Sequence, residues 1–133
     1  MIITASIRNT GNQNDIVVST ENNNKKINIP AKPTGSGSSV NGGELLFLSL
    51  ATCFCNDIYR EAAKRKMSID SVEVTVSGKF GNEGEPASYI TYEADVRSAT
   101  CSAKQIDELI NDVDKMAEIH NTLRRGIDVS LKL

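Results

Sequence analysis

The side chains best suited to nucleophilic or redox chemistry here are three cysteines, Cys53, Cys55 and Cys101, and a single histidine, His120. A thiol reacts as its thiolate, so a nearby cation activates it and an apolar surrounding silences it. Cys53 and Cys55 stand two apart in LATCFCND. In a helix successive residues turn by ~100°, so these sulfurs point ~200° apart. They can neither bridge one another nor share one ion while the helix holds. No C-x-x-C pair occurs, so neither a metal centre nor a cofactor is expected. Each thiol is therefore packing or chemistry on its own account, and free cysteine is among the most buried residue types.

The element that carries Cys53 runs through NGGELLFLSLATCFCNDIYREAAKRK, residues 41–66. Asn41 can cap it, with Glu44 as the reciprocal member of a capping box. From Leu45 to Tyr59 eleven of fifteen residues are apolar. A helix apolar on every side is expected at the centre of a fold. Beyond Asn56-Asp57 it turns amphipathic, through REAAKRK.

The surrounding elements follow from periodicity. Ile3, Ala5 and Ile7 alternate with polar residues, GNQND reads as a turn, and DIVVST and KKINIP read as two more strands separated by ENNN. Pro30 to Gly43 has the composition of a flexible loop. Val72, Val74 and Val76, then Ile90, Tyr92, Ala94 and Val96 after GNEGEP, predict an antiparallel hairpin with one face in the core. Ser102 and Gln105 form a second capping box. Ile106, Leu109, Ile110, Val113, Met116 and Ala117 continue it as the apolar stripe of a second helix. Gly126 suits the end of that segment, and Ile127, Val129, Leu131 and Leu133 alternate as a closing strand. The class is α+β, in a single domain over residues 1–133.

Bulk properties narrow the function. The net charge is −2 and the longest basic run is Lys64-Arg65-Lys66, so no nucleic-acid footprint exists. With 5% aromatics and no tryptophan, base-stacking platforms are not expected either. The longest apolar run, Leu45 to Cys55, is too short for the ~20 residues of a membrane span. The N-terminus MIITASIRNT has neither the basic nor the apolar region of a signal peptide. An odd number of cysteines does not fit a disulfide-stapled scaffold. These features together predict a cytoplasmic protein that engages neither membrane nor nucleic acid.

Two stretches resemble the OsmC/Ohr family of osmotically inducible and organic hydroperoxide resistance proteins. One is GGELLFLSLATCFCNDIYREAAKRKMSIDSVEVTVSG, which places Cys53 where the family carries its reacting cysteine. The other is EIHNTL, residues 118–123, followed by RRGIDVSLKL, which looks like the family's C-P-x-H-N-T-L motif and last strand. The similarity runs from about Gly35 to the C-terminus. It implies an intertwined homodimer, with antiparallel sheets wrapped around long central helices and sites at the interface. It also implies that Cys53 attacks an organic hydroperoxide and becomes a sulfenic acid, helped by an acid at the helix start and by an arginine. Sulfenic acid must be captured by a second thiol or it oxidises further.

The chain departs from that pattern at defined places. Ala117 stands at the second-cysteine position and Glu118 replaces the proline. Cys101 falls before the second helix, at the opposite end from Ala117. The acid corresponds to Glu44, which also serves as a cap. By position the arginine is Arg8 on the first strand, with Arg124 and Arg125 near the second motif. His120 is either a site residue near Cys53 or a group satisfied at a helix end or interface. Beside a purely structural or partner-binding dimer, two functions remain open. One is a one-cysteine peroxidase whose sulfenic acid is resolved by an external thiol. The other is a non-enzymatic dimer that holds a small apolar ligand in its interface cleft, with Cys53 as packing.

Overall fold

The structure, a computed structural model, describes residues 1–133. It is α+β and falls into two compact units, Met1–Leu45 and Leu46–Leu133.

The first unit is a three-stranded antiparallel meander: β1 (Ile3–Thr10), β2 (Gln13–Thr20) and β3 (Asn23–Lys26). The β1–β2 turn is Gly11-Asn12, and Gly11 supplies the left-handed backbone at φ 59°. At the β2–β3 turn Glu21 and Asn22 both take positive φ, 47° and 65°, as a two-residue hairpin turn of the primed type requires. Glutamate tolerates this because its carboxylate accepts the Ile2 N–H at 2.7 Å and its own N–H reaches the Ile2 carbonyl at 2.9 Å. That turn corrects the third strand. Pairing starts at Asn23, inside the ENNN expected to separate strands, and ends at Lys26, so KKINIP is strand only in its first two residues. The loop after Pro30 is tied rather than loose. Lys32 N–H bonds the Gly37 carbonyl at 3.1 Å, and the Asn9 carboxamide accepts from Gly37 N–H at 3.2 Å.

Helix α1 (Gly42–Lys64) opens with the expected capping box. Asn41 Oδ1 accepts from Glu44 N–H at 2.8 Å, and Glu44 Oε1 accepts from Asn41 N–H at 2.9 Å. Leu50, Phe54, Ile58 and Ala62, four residues apart, are its buried apolar stripe. Helix α2 (Ala103–Met116) carries the predicted Ser102–Gln105 box and presents Leu109 and Val113, followed by Ala117. These two stripes interlock, and the hairpin β4 (Ser71–Phe80) and β5 (Ala87–Arg97) covers them with Val72, Val74, Tyr92, Ala94 and Val96. Its register pairs Val72 with Val96 and Val74 with Ala94, so the predicted alternation does face the core. Gly78 lies so near Tyr89 that an added Cβ would stand 2.5 Å from that residue's carbonyl oxygen. Arg65, just past α1, reaches Asp112 of α2 at 3.0 Å, while Cys53 of α1 meets Glu118 beyond the C-terminal end of α2, so the two helices run in opposite senses.

Three expectations are corrected. α1 is not buried all round: Leu48 is 59% and Tyr59 44% exposed, because one hairpin and one helix cover only one side of it. The second helix is broken. Ala117 takes ψ 110°, and a separate helix α3 (Glu118–Arg125) follows, closed by Gly126 in the left-handed region. The closing strand does not form. Residues 127–133 have no β partner, and Val129 and Leu131 stand 97% and 83% exposed. A strand needs a neighbour for its N–H and carbonyl groups, and β4–β5 is a sheet of two strands.

Candidate functional site

Cys53 lies on the face of α1 that meets the start of α3. Its Sγ is 3.7 Å from Asp57 Oδ2 and 3.9 Å from Glu118 Oε2. Asp57 follows it by one helical turn and Arg60 by two, so residues 53, 57 and 60 form one edge of the helix. Glu118 arrives because the break at Ala117 redirects the chain. Asp57 is 3% exposed, a rare burial for a carboxylate without a partner. Its partner is Arg60, whose Nη1 stands 2.9 Å from Asp57 Oδ1 and 3.9 Å from Glu118 Oε1. Arg60 also bonds Glu61 at 3.1 Å, so the guanidinium is held by carboxylates and not by the sulfur.

The electrostatics follow from this arrangement. Burial pushes the Cys53 thiol above its ordinary range, and the charges of Asp57 and Glu118 add to that rise. The backbone amide of Ile119, in the first turn of α3, opposes it. Burial also raises the Asp57 carboxyl, with Glu118 adding to it and Arg60 opposing. Acid and thiol are thus both shifted toward their protonated forms. Thiolate and carboxylates could also ligate a divalent cation, since one ligand atom from each of Cys53, Asp57 and Glu118 lies within 4.8 Å of the others. Arg60 already supplies a positive charge at that place.

The other sequence candidates have surroundings of their own. Glu44 is spent on the cap of α1. Arg8 stands on β1 of the first unit, opposite Asp15. Arg124 is bound by Asp114, 2.6 Å from its Nη2, and Arg125 is exposed. His120 is buried between Phe54 and Tyr92, with ring centroids 5.7 and 4.5 Å away. The cysteines diverge as helix geometry predicts. Cys53 faces α3, whereas Cys55 lies beside Val72 and Val74 of β4. Cys101 sits by the Ser68 carbonyl before α2, and the 14 residues of α2, about 21 Å of helix, run from there toward Cys53. All three are free thiols. Asp57, Arg60 and Glu118 were not singled out from sequence. The 53, 57, 60 spacing would have revealed two of them.

A family profile described as OsmC-like protein matches residues 35–132. No curated protein sequence matches the chain. Among solved structures, a hypothetical protein from Aquifex aeolicus VF5 superposes with a TM-score of 0.68 at 13% identity, over 96% of this chain and 91% of that one. An OsmC-like protein from Mycoplasma pneumoniae gives 0.65 at 19% identity, over 91% and 87%. The organic hydroperoxide resistance protein OhrB of Bacillus subtilis gives 0.56 at 18% identity, over 99% and 97%. At these identities the likeness establishes the fold.

Proposed function

The chain belongs to the OsmC-like protein family, and from that premise we propose that it is a cytoplasmic homodimer that reduces organic hydroperoxides at Cys53, with an external thiol as reductant. The observation that carries this reading is the triad in which the Cys53 thiol donates toward Asp57, itself held by Arg60. A carboxylate whose proton affinity is raised by burial, and which lies within reach of the thiol's proton, is suited to take it as the sulfur attacks. The sulfur bonds to the terminal peroxide oxygen and the O–O bond breaks. The proton leaves through Asp57 to the departing alkoxide, giving an alcohol and a sulfenic acid on Cys53. No thiol stands at Ala117, and Cys55 and Cys101 lie on other faces, so two equivalents of a small thiol return Cys53 to the thiol, with water and a disulfide as products. Because burial and two acids favour the protonated thiol, the reaction quickens as pH rises.

The dimer accounts for apolar surface that one chain leaves open. Leu48 and Tyr59 line the uncovered side of α1, and the alternating Ile127, Val129, Leu131 and Leu133 have the pattern of a strand without a neighbour. A second copy could bury the first and pair with the second. No helix is long and apolar enough to cross a membrane.

The test is to mix reduced protein with cumene hydroperoxide and locate sulfenic acid by a chemical probe and mass spectrometry. Oxidation selective for Cys53 and faster than that of free cysteine at the same pH supports the proposal. Labelling no faster than free cysteine rejects it. A second reading, a non-enzymatic member that binds a small apolar ligand, is favoured by the rise in the Cys53 pKa.

A further inference from the structure

Helix α3 has only eight residues, yet it must be held where Glu118 reaches the sulfur of Cys53. An isolated helix of that length does not persist in water. Its one buried side chain, His120, packs between Phe54 and Tyr92 but makes no hydrogen bond, so the ring fills space without fixing a direction. The directed bonds come from the other end of α3. Arg124 Nη2 donates to the Asp114 carboxylate at 2.6 Å, and Nη1 donates to the Asp114 carbonyl at 3.0 Å. Asn121 donates through Nδ2 to the Lys115 carbonyl at 3.0 Å and accepts at Oδ1 from Arg124 Nη1 at 3.1 Å. The Tyr92 hydroxyl of β5 donates to the same Asp114 carboxylate. Every side-chain hydrogen bond between α2 and α3 thus runs from Asn121 or Arg124 to Asp114 or Lys115. Their carbonyls belong to the last turn of α2, which a helix leaves without partners of its own. The side chains of α3 complete α2 and are oriented by it in return.

We propose that the clasp of Tyr92, Asp114 and Arg124 sets the orientation of α3 at Cys53, which makes Asp114 and Arg124 positioning residues for the reacting thiol. The inference rests on the reading of Cys53 as the reacting group and adds to it residues that do not touch the sulfur. Arg124 and Glu118 lie at opposite ends of one short helix, so a tilt allowed at one end is delivered at the other. Arginine suits the task, because its planar fork ties a carboxylate and a carbonyl at once, where a lysine offers a single point charge. Asp114 is held from its other side by Tyr92, whose ring is packed edge-on against Phe54 with centroids 4.9 Å apart. The side chains of Arg124 and Asp114 are 47% and 44% exposed, and exposed ion pairs contribute little to global stability. Loss of the clasp should therefore release α3 while the core of Phe54, Ile58, Leu109 and Val113 stays folded.

The test couples the clasp to Cys53 without peroxide, so its failure is distinct from a failure of the peroxidase reading. Iodoacetamide alkylation of Cys53, located by fragment-ion mass spectrometry, is followed against pH in the intact chain at low ionic strength, where screening is weak. The charged groups around the sulfur are Asp57 and Arg60 from α1 and Glu118 from α3. Glu118→Gln should lower the alkylation midpoint of the native chain. In an Arg124→Met background, which keeps the apolar stem, the same substitution should lose at least half of that shift, because Glu118 no longer stands at the sulfur. Arg124→Lys should restore part of it. Val72→Ala, which weakens the same core from β4, should leave the shift whole. A full shift in Arg124→Met overturns the proposal, as does the lack of any shift in the native chain. An equal loss in Val72→Ala overturns it too, since the role of Arg124 would then be structural only. If Arg124→Met fails to fold, the same cycle in Asp114→Asn decides: a reduced shift supports the clasp and a full one overturns it.

Discussion

The Cys53 Sγ stands 3.7 Å from the Oδ2 of Asp57, one turn further along α1, so the thiol meets a carboxylate before it meets any cation. Anionic neighbours disfavour a thiolate. Iodoacetamide alkylation of Cys53, followed against pH, should therefore reach its midpoint above that of free cysteine. Asp57→Asn and Glu118→Gln should each lower the midpoint and speed alkylation at pH 7 several-fold. Asp57→Asn should at the same time slow the peroxide reaction, because the proton acceptor is lost. Acceleration of both reactions would leave Asp57 with a purely electrostatic role.

Ala117 is fully buried and adjoins Glu118, which touches the sulfur of Cys53. Ala117→Cys should place a second thiol within reach. One equivalent of cumene hydroperoxide should then produce a disulfide between Cys53 and the introduced thiol, seen as the loss of two hydrogens in the intact mass and as a cross-linked peptide. The unsubstituted chain should give a sulfenic acid or a mixed disulfide under the same conditions.

Leu48 projects from the open side of α1. Leu48→Glu should convert the proposed homodimer to a monomer in sedimentation velocity while far-ultraviolet circular dichroism keeps its helical content. Persistence of the dimer would move the interface away from this side of α1.

His120 is held neutral in the fold, chiefly by burial and then by Arg124, with Asp114 the only facing group that favours its charge. The unfolded chain therefore takes up the proton first as pH falls. Above the ordinary histidine value, ~6.5, the group contributes no pH dependence. Below it, down to the depressed value, stability falls by at most about 1.4 kcal/mol per pH unit. Urea denaturation at pH 7.5 and 5.5 should show a larger loss for the native chain than for His120→Phe, a difference that cancels the other titrating groups.

Leu109 has no solvent exposure and packs among Phe54, Ile58 and Val113. Leu109→Ala should cost about 2–5 kcal/mol in the same denaturation experiment. A much smaller loss would mean that the helices collapse onto the space.

What the sequence revealed and what it hid divide along physical lines. Capping boxes are local, and both Asn41–Glu44 and Ser102–Gln105 are found as the residues predict. Alternation on β4 and β5 is also local, and Val72 and Val96 pair as expected. The break at Ala117 is not local. Alanine is the best helix former, so nothing in its own propensity warns of ψ 110°. The turn at Glu21 is hidden for a similar reason, since its left-handed backbone is held by bonds to Ile2, far away in sequence. The pattern of residues 127–133 is legible as a strand, but a strand exists only where another offers an edge. At the candidate site, Cys53 is marked by type and Asp57 and Arg60 by spacing. Glu118 is brought in only by the break.

That break also decides what the sulfur can feel from the backbone. Had α2 run on, the amide hydrogen of Ile119 would have closed an ordinary helical ring to the carbonyl of Lys115. That carbonyl is instead occupied by the side chain of Asn121, at 3.0 Å. The amide, released from its structural duty, instead lowers the proton affinity of Cys53. One interrupted backbone torsion thus frees a strut to act on the thiol, and straightening the helix would take both that amide and Glu118 away from it.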